Sequence, residues 1–555
     1  MGGRERNGDC AANPAGQPLR HPSVQPPLWL PRHESGKRAP DNAALLRPVV
    51  EGEGETIVRD MQRCFPQILW DPLPGEEAEQ DCACSTDGPA IWHTGAKGGT
   101  TGETDCACAE ATHTPAAMGG IPGTLYQTPP RLYRAPFLDG HHLVFNPTGS
   151  AGVVVLNEPA AHILDSYAMP APLADPTARQ LAALGLLTPT SATEHAIRST
   201  RHTLTLWLHL TTRCNLRCAY CYAPRGNIDM SPEVGRAAVD AALRSAQAHG
   251  FAAVKLKYAG GEPTLNLSTV RAVHAYARGR ATEAGLELRE ALLSNGTTLT
   301  PPVLKWLRDE EIRLSISLDG IGPAHDRQRT AANGAGSFIP VAAAVDRALA
   351  LGLLPHLSIT VTVRNVGGLA EAVAFALKRG LPFNLNFVRP VPGASDLSPT
   401  PGQLIAGLRA ALAEVERHLP PYRLIDGLLD RCDLSGPHRY PCGAGHSYLV
   451  VGPWGGVACC HMQMERTVGS VWDEDPLATV RGVRDDFRNS PVDEKEYCRD
   501  CCWRYVCAGG CPLLARWRAG RDGIPSPYCE VYRALLPELV RVEGLRLLKW
   551  FTAPL

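Results

Sequence analysis

Three cysteines, Cys214, Cys218 and Cys221, stand in TLTLWLHLTTRCNLRCAYCY at C-x3-C-x2-C spacing, and their type and number point to metal chemistry. Structural zinc is closed by four ligands in a tetrahedron, whereas a 4Fe-4S cubane held by three thiolates leaves one iron free for a substrate or cofactor. Downstream, AAVKLKYAGGEPTL ends a strand-like run in Gly260, Gly261, Glu262 and Pro263. A glycine pair lets backbone approach a ligand closely, and a carboxylate there suits an ammonium group. LLSNGT and LSISLDGIGPAHDRQR are two further strand-to-loop transitions. Near the C terminus, YCRDCCWRYVCAGGCP reads as C-x2-C-x5-C-x3-C through Cys498, Cys501, Cys507 and Cys511, with Cys442 and Cys460 before it and Cys529 after it. Seven thiols are too many for one metal.

Taken in order, these segments resemble the radical S-adenosylmethionine (radical SAM) superfamily across residues 200 to 425. The resemblance implies that Cys214, Cys218 and Cys221, with Tyr220 ahead of the last, hold a SAM-binding 4Fe-4S cluster. It implies that the Gly260-Gly261-Glu262-Pro263 segment holds the amino group of SAM, with Glu262 as acceptor. By the same resemblance Ser317 touches the ribose, Arg329 grips the SAM carboxylate with its guanidinium fork, and Ser294 and Asn295 belong to the same pocket. The C-terminal run resembles the SPASM extension of radical SAM peptide maturases, which carries auxiliary 4Fe-4S clusters. Carried over by position, Cys498, Cys501, Cys507 and Cys529 hold one cluster and Cys442, Cys460 and Cys511 the other. Relatives place a further cysteine shortly after the one matching Cys442, where this chain reads CGAGHSYLV. Cys459, Cys432 or an open iron that binds substrate directly each remain compatible. Two zinc sites of four thiolates are the alternative, against which stands the need of a SAM cluster for electrons that zinc cannot supply.

The resemblance implies reductive cleavage of SAM, hydrogen abstraction by a 5′-deoxyadenosyl radical and net oxidation of a substrate. The expected function is oxidative modification of a ribosomally made peptide, as a thioether or carbon-carbon crosslink. The expected partners are that peptide or protein and an electron donor such as flavodoxin or ferredoxin. Anaerobic sulfatase maturation, which forms formylglycine, is the rival, and one position bears on it. Those maturases place an acidic residue after the cysteine matching Cys460, where this chain has His461. A histidine can act as general base near neutral pH, or it can sit at the surface or behind the reacting groups. A reading of another class is a zinc protein that binds peptide without catalysis.

The elements that must position these residues read as an α/β fold, a partial (β/α)6 TIM-like barrel. Strand-like TLTLWLHL, AVKLKYAG, IRLSISLDG and PHLSITVTV alternate with helical SPEVGRAAVDAALRSAQAHG, LSTVRAVHAYARGRATEAG and GLAEAVAFALKRG. Ser231-Pro232-Glu233 starts a helix, and Gly250, Gly285, Gly352 and Gly380 fall at helix stops. The motifs all lie at carboxyl ends of strands, where such barrels gather their chemistry. His325 and Asp326 read as structural or pocket-lining. Residues 430–555 form the expected auxiliary-cluster domain. Residues 129–195 read as a hairpin and two amphipathic helices, resembling a winged-helix peptide-recognition module similar to the pyrroloquinoline-quinone chaperone family, or else a cap on the barrel.

Residues 1–128 are rich in Pro, Gly and Ala and read as largely disordered. Within them an Asp-Cys-Ala-Cys unit repeats at Cys82, Cys84, Cys106 and Cys108: a solvated biased stretch, a four-thiolate metal site, or a modifiable peptide fused to its enzyme. Met61 offers an alternative start. The 555 residues, 44% of them hydrophobic, suffice for several cores. A net charge of -1 and a pI near 7.0 give no global reason to expect nucleic acid or membrane as partners. With no 18-residue apolar run and no signal-like N terminus, the expectation is cytoplasmic, and 19 cysteines then fit metal ligation better than disulfides.

Overall fold

The computed structural model describes residues 66–71, 123–191, 203–389, 397–424, 427–483 and 488–551. The Asp-Cys-Ala-Cys repeats and Met61 lie outside them. The first elements are β1 (Ile68–Leu69), β2 (Tyr126–Gln127), β3 (Tyr133–Pro136), β4 (His141–Phe145), β5 (Val153–Asn157), α1 (Glu158–Ser166), α2 (Pro176–Ala183) and β6 (Thr188–Pro189). They build an antiparallel sheet ordered β1-β5-β4-β3 beside a β2-β6 pair. Asn157 and Asp175 cap α1 and α2 by accepting from the backbone N–H of Ala160 and Ala178. Every side chain of β5 is buried because the sheet is covered twice. Val144, Val154 and Leu156 meet the two helices, while Leu143, Phe145, Val153 and Val155 join the main core. β1 and β2 extend this module ahead of residue 129; a two-residue strand carries too little pattern to be read from sequence.

Next come β7 (Thr203–His209), α3 (Pro232–Ala248), β8 (Ala253–Ala259), α4 (Leu267–Ala284), β9 (Glu287–Ser294), α5 (Pro301–Asp309), β10 (Arg313–Ser317), α6 (Phe338–Ala350), β11 (His356–Val361), α7 (Leu369–Leu377), β12 (Phe383–Phe387) and α8 (Pro401–Arg417). The six strands run parallel in chain order, and β7, β8 and β12 are buried along their whole length, as strands covered on both faces must be. Ser231 accepts from the N–H of Val234 to start α3, and Gly250, Gly285, Gly352 and Gly380 adopt positive φ at helix ends. Ser294 and Ser317 are the last residues of β9 and β10, and Cys214 and Gly260 follow β7 and β8.

The sheet does not close after β12. On the far side of β7 it continues through β13 (Tyr448–Val451), parallel to β7, then antiparallel β14 (Gly456–Ala458) and β15 (Gly469–Ser470). The cysteine-rich region thus shares one nine-stranded sheet with the barrel. It ends in α9 (Pro476–Gly482), α10 (Pro512–Ala519) and α11 (Cys529–Phe551). α11 packs against the N-terminal sheet so closely that a Cβ at Gly544 would lie 2.2 Å from Leu143 Cδ2.

Candidate active site and cysteine cavities

The loop after β7 and the loop after β8 are one unit. The Gly261 N–H donates to Thr211 O at 2.7 Å and the Glu262 N–H to Arg213 O at 2.8 Å. The approach is possible only without side chains. A Cβ at Gly261 would lie 2.1 Å from Arg213 O and 3.1 Å from Cys214 Cβ, and Gly260 holds φ at 154°. The other side of the cysteine loop is pinned by Arg217 N–H to Thr330 O at 2.7 Å and Ala219 N–H to Gln328 O at 2.9 Å.

Cys214, Cys218 and Cys221 line a cavity of about 190 Å³ at the mouth of the barrel. Tyr220, Gly260, Gly261, Ser294, Asn295, Ser317 and Arg329 share its walls with the cysteines. Arg329 is buried, its Nη1 donates to the Tyr220 hydroxyl at 2.5 Å, and that hydroxyl donates to Asp319 Oδ2 at 2.5 Å. Arg329 Nε has no hydrogen-bond partner among the described residues, which leaves a cationic donor at the cavity for an anionic group. Burial pushes the Cys218 thiol up to about 11, so a metal must displace its proton to bind.

Glu262 and Pro263 are absent from these walls, which departs from the expectation of a carboxylate facing the ligand. Fully buried Glu262 accepts from Thr264 Oγ1 at 2.7 Å, Thr264 N–H at 3.2 Å, Ser294 Oγ at 3.0 Å and Asn295 N–H at 2.7 Å. It ties the glycine loop to the end of β9. His325 and Asp326 are structural. His325 Nδ1 accepts from the Asp319 N–H at 3.2 Å, and burial holds its pKa down to about 3. Asp326 accepts from the N–H groups of Ser337 and Phe338 at the start of α6. Sequence reasoning missed Ser315, Ser358, Thr360 and Asn386, polar side chains of β10, β11 and β12 that floor the cavity. Their signal was present: hydroxyls and an amide interrupt otherwise apolar strands.

Residues 208–371 match the family described as the radical SAM superfamily. This chain is a radical SAM enzyme. The enzyme is 28% identical over 339 residues to the mycofactocin maturase MftC of Mycobacterium ulcerans, covering 58% of this chain and 86% of that relative. An uncharacterized protein of Methanocaldococcus jannaschii, MJ0907, is 26% identical over 177 residues; the match spans 32% of this chain and 59% of MJ0907. The structure of native anSMEcpe with bound AdoMet and the Cp18Cys peptide superposes with a TM-score of 0.51 at 19% identity, over 62% of this chain and 99% of that one, a likeness of fold. The reading as a non-catalytic zinc protein is thereby set aside.

Among the described residues, eight further thiols gather in two places. Cys498, Cys501, Cys507 and Cys529 line a cavity of about 400 Å³ that also takes in Cys502 and Tyr133. Cys502 was overlooked in the sequence because it duplicates Cys501; its hydrogen bond to Cys501 leads the effects that bring that thiol down to about 6. Cys442, Cys460 and Cys511 line a narrow second cavity, about 20 Å³, with Arg389, Arg431, His461 and Met462. This donor set suits an anionic thiolate cluster, since guanidinium groups rather than carboxylates surround it. Cys432 and Cys459 are buried but line neither cavity. Among the described residues no three His, Cys, Asp or Glu side chains converge on a single metal point.

His461 does not line the barrel-mouth cavity, and this corrects its candidacy as general base. Only 2% exposed, its ring stacks on Trp207 at 4.7 Å and its Nδ1 lies 3.1 Å from the Tyr448 hydroxyl. A group so enclosed cannot take a proton from a substrate at the barrel mouth. Arg389 and Met462 line both the barrel-mouth cavity and the narrow thiol cavity, so the two are neighbours through a shared wall.

Proposed function

We propose that this radical SAM enzyme is a peptide maturase that oxidises a ribosomally made peptide, closing a thioether or carbon-carbon crosslink. In this reading Cys214, Cys218 and Cys221 hold the SAM-binding 4Fe-4S cluster, and two auxiliary clusters are held by Cys498, Cys501, Cys507 and Cys529 and by Cys442, Cys460 and Cys511. Held by Cys214, Cys218 and Cys221, that cluster would supply the one-electron reduction that opens SAM to radical chemistry. The chain's own residues do the rest. Arg329, braced by Tyr220 and Asp319, takes the SAM carboxylate. The glycine edge at Gly260 and Gly261 lets SAM lie against backbone, with Glu262 holding that edge in place. Ser294, Asn295 and Ser317 offer polar contacts, and Trp207 and Tyr222 give the cavity aromatic walls. Crosslinking removes two hydrogens: one atom goes to the 5′-deoxyadenosyl radical, and the other leaves as a proton and an electron.

The observation that carries this reading is the wall of Arg389 and Met462 shared by the SAM cavity and the narrow thiol cavity, a short route by which that last electron can leave. The similarity to a mycofactocin maturase, which extends well beyond residues 208–371, supports a peptide as substrate. The sulfatase-maturing alternative needs a base at the SAM cavity, and His461 does not supply one. The partners are the peptide and a one-electron donor of the flavodoxin or ferredoxin kind. No described helix is long and apolar enough to cross a membrane.

The test is anaerobic reconstitution with iron and sulfide, then SAM, dithionite and a candidate precursor peptide. The expected result is 5′-deoxyadenosine together with a loss of about 2 Da from the peptide, the two hydrogens removed in the oxidation. Sustained 5′-deoxyadenosine formation with every precursor peptide recovered unchanged would overturn the peptide reading.

A further inference from the structure

We propose that His461 completes the Cys442, Cys460 and Cys511 set through Nε2, making an auxiliary cluster of three thiolates and one imidazole. The proposal rests on the reading of those three cysteines as cluster ligands and answers what fills the fourth position. His461 follows Cys460 directly and lines the same cavity as the three thiols. It is the one imidazole in that wall, where the other side-chain nitrogens are the guanidinium groups of Arg389 and Arg431. Its Nε2 is buried and has no hydrogen-bond partner among the described residues. A buried nitrogen left without a partner is costly, and a metal ligand that bonds only in the loaded protein accounts for the vacancy.

The rest of the ring is held as metal-binding imidazoles are held. Nδ1 is 3.1 Å from the Tyr448 hydroxyl, and in the tautomer whose Nδ1–H donates to that oxygen the lone pair is on Nε2. Trp207 stacks on one face at 4.7 Å with an interplanar angle of 19°, and Tyr222 packs at 5.1 Å. The cysteines considered from sequence as fourth ligands, Cys432 and Cys459, do not reach this cavity.

Replacing a thiolate by a neutral imidazole removes one negative charge from the cluster's surroundings and raises its reduction potential. Such a cluster is the better electron acceptor beside the SAM cavity, where a substrate must give up its second electron.

The experiment uses the full chain, reconstituted and reduced without SAM so that no SAM nitrogen is present, and labelled with 15N-histidine. Pulsed EPR should show a histidine nitrogen bonded to iron. That coupling should vanish in His461→Ala and in His461→Cys, while His461→Cys keeps full iron and sulfide content and shifts one midpoint potential downward. Full loading of three clusters with no histidine coupling, or a coupling unchanged in His461→Ala, overturns the histidine ligand and leaves the cysteine reading intact. Iron content unaffected by Cys460→Ser overturns both, because no cluster would then depend on this set.

Discussion

Two sets of three cysteines lie on either side of one wall, and their surroundings part them. Around Cys214, Cys218 and Cys221 the space is about 190 Å³ and opens onto glycine backbone, hydroxyls and the guanidinium of Arg329. Around Cys442, Cys460 and Cys511 the space is about 20 Å³, and an imidazole, a thioether and two guanidinium groups enclose it. An incomplete set of thiols therefore has two meanings. At the barrel mouth it leaves room for a ligand from outside; beneath the wall it leaves room for a side chain of the same molecule. Counting cysteines cannot distinguish the two, whereas the volume and the identity of the neighbours can.

The largest expected effect comes from removing a thiol of the first set. Cys218→Ala should reduce 5′-deoxyadenosine formation by at least about 100-fold, because SAM cleavage needs the site-differentiated iron. About two thirds of the iron should remain. If Cys460→Ala stops SAM cleavage as completely as Cys218→Ala does, the contrast between the two sets fails.

Gly261→Ala tests how tightly the open set is framed. Its new methyl group would stand 2.1 Å from Arg213 O, backbone that cannot swing away. A stability loss of about 3 kcal/mol is expected, at the upper end of what overpacking costs, measurable by anaerobic urea unfolding. A milder change touches the ligand alone: Arg329→Lys, which keeps the charge and loses the fork, should weaken SAM binding about 10-fold in equilibrium dialysis. The visible absorbance of the C-terminal clusters should not move.

The smallest effect serves as a control away from both sets. On α4, desolvation of His274 favours its neutral form, but Glu290 at 2.8 Å from Nδ1 and Glu310 at 3.2 Å from Nε2 outweigh it and raise the pKa. A raised folded pKa stabilises fully below the unfolded value of about 6.5, and that contribution is lost as pH rises through the folded value. Stability should therefore fall as pH rises above about 6.5, with SAM affinity unchanged. A His274→Gln variant should lose this pH dependence.

Much of the open site was legible because its chemistry is local. The cysteine loop, the glycine pair and the ends of β9 and β10 each announce themselves within a few residues. What escaped is non-local. Nothing in YLVV at β13 says that it pairs in parallel with β7, more than 200 residues earlier, since parallel pairing leaves no turn between partners. The orientation of Glu262 depends on donors at Thr264, Ser294 and Asn295, and that of His461 on Trp207 and Tyr448. A residue type suggested a role at both positions, and packing assigned another.

The N-terminal sheet holds none of the seven C-terminal thiols, yet it covers the largest thiol cavity. Tyr133 of β3 forms part of that cavity's wall, and Tyr133 and Phe145 lie against Trp503 at 5.3 Å and 5.8 Å. Asp71, just after β1, pairs at 2.6 Å with Arg546 in the last helix, so the sheet is fastened to the far end of the chain. Iron-sulfur clusters are lost to oxygen chiefly where solvent reaches them. A cluster held in that cavity would therefore owe part of its survival in air to a module that lines no part of the barrel-mouth cavity.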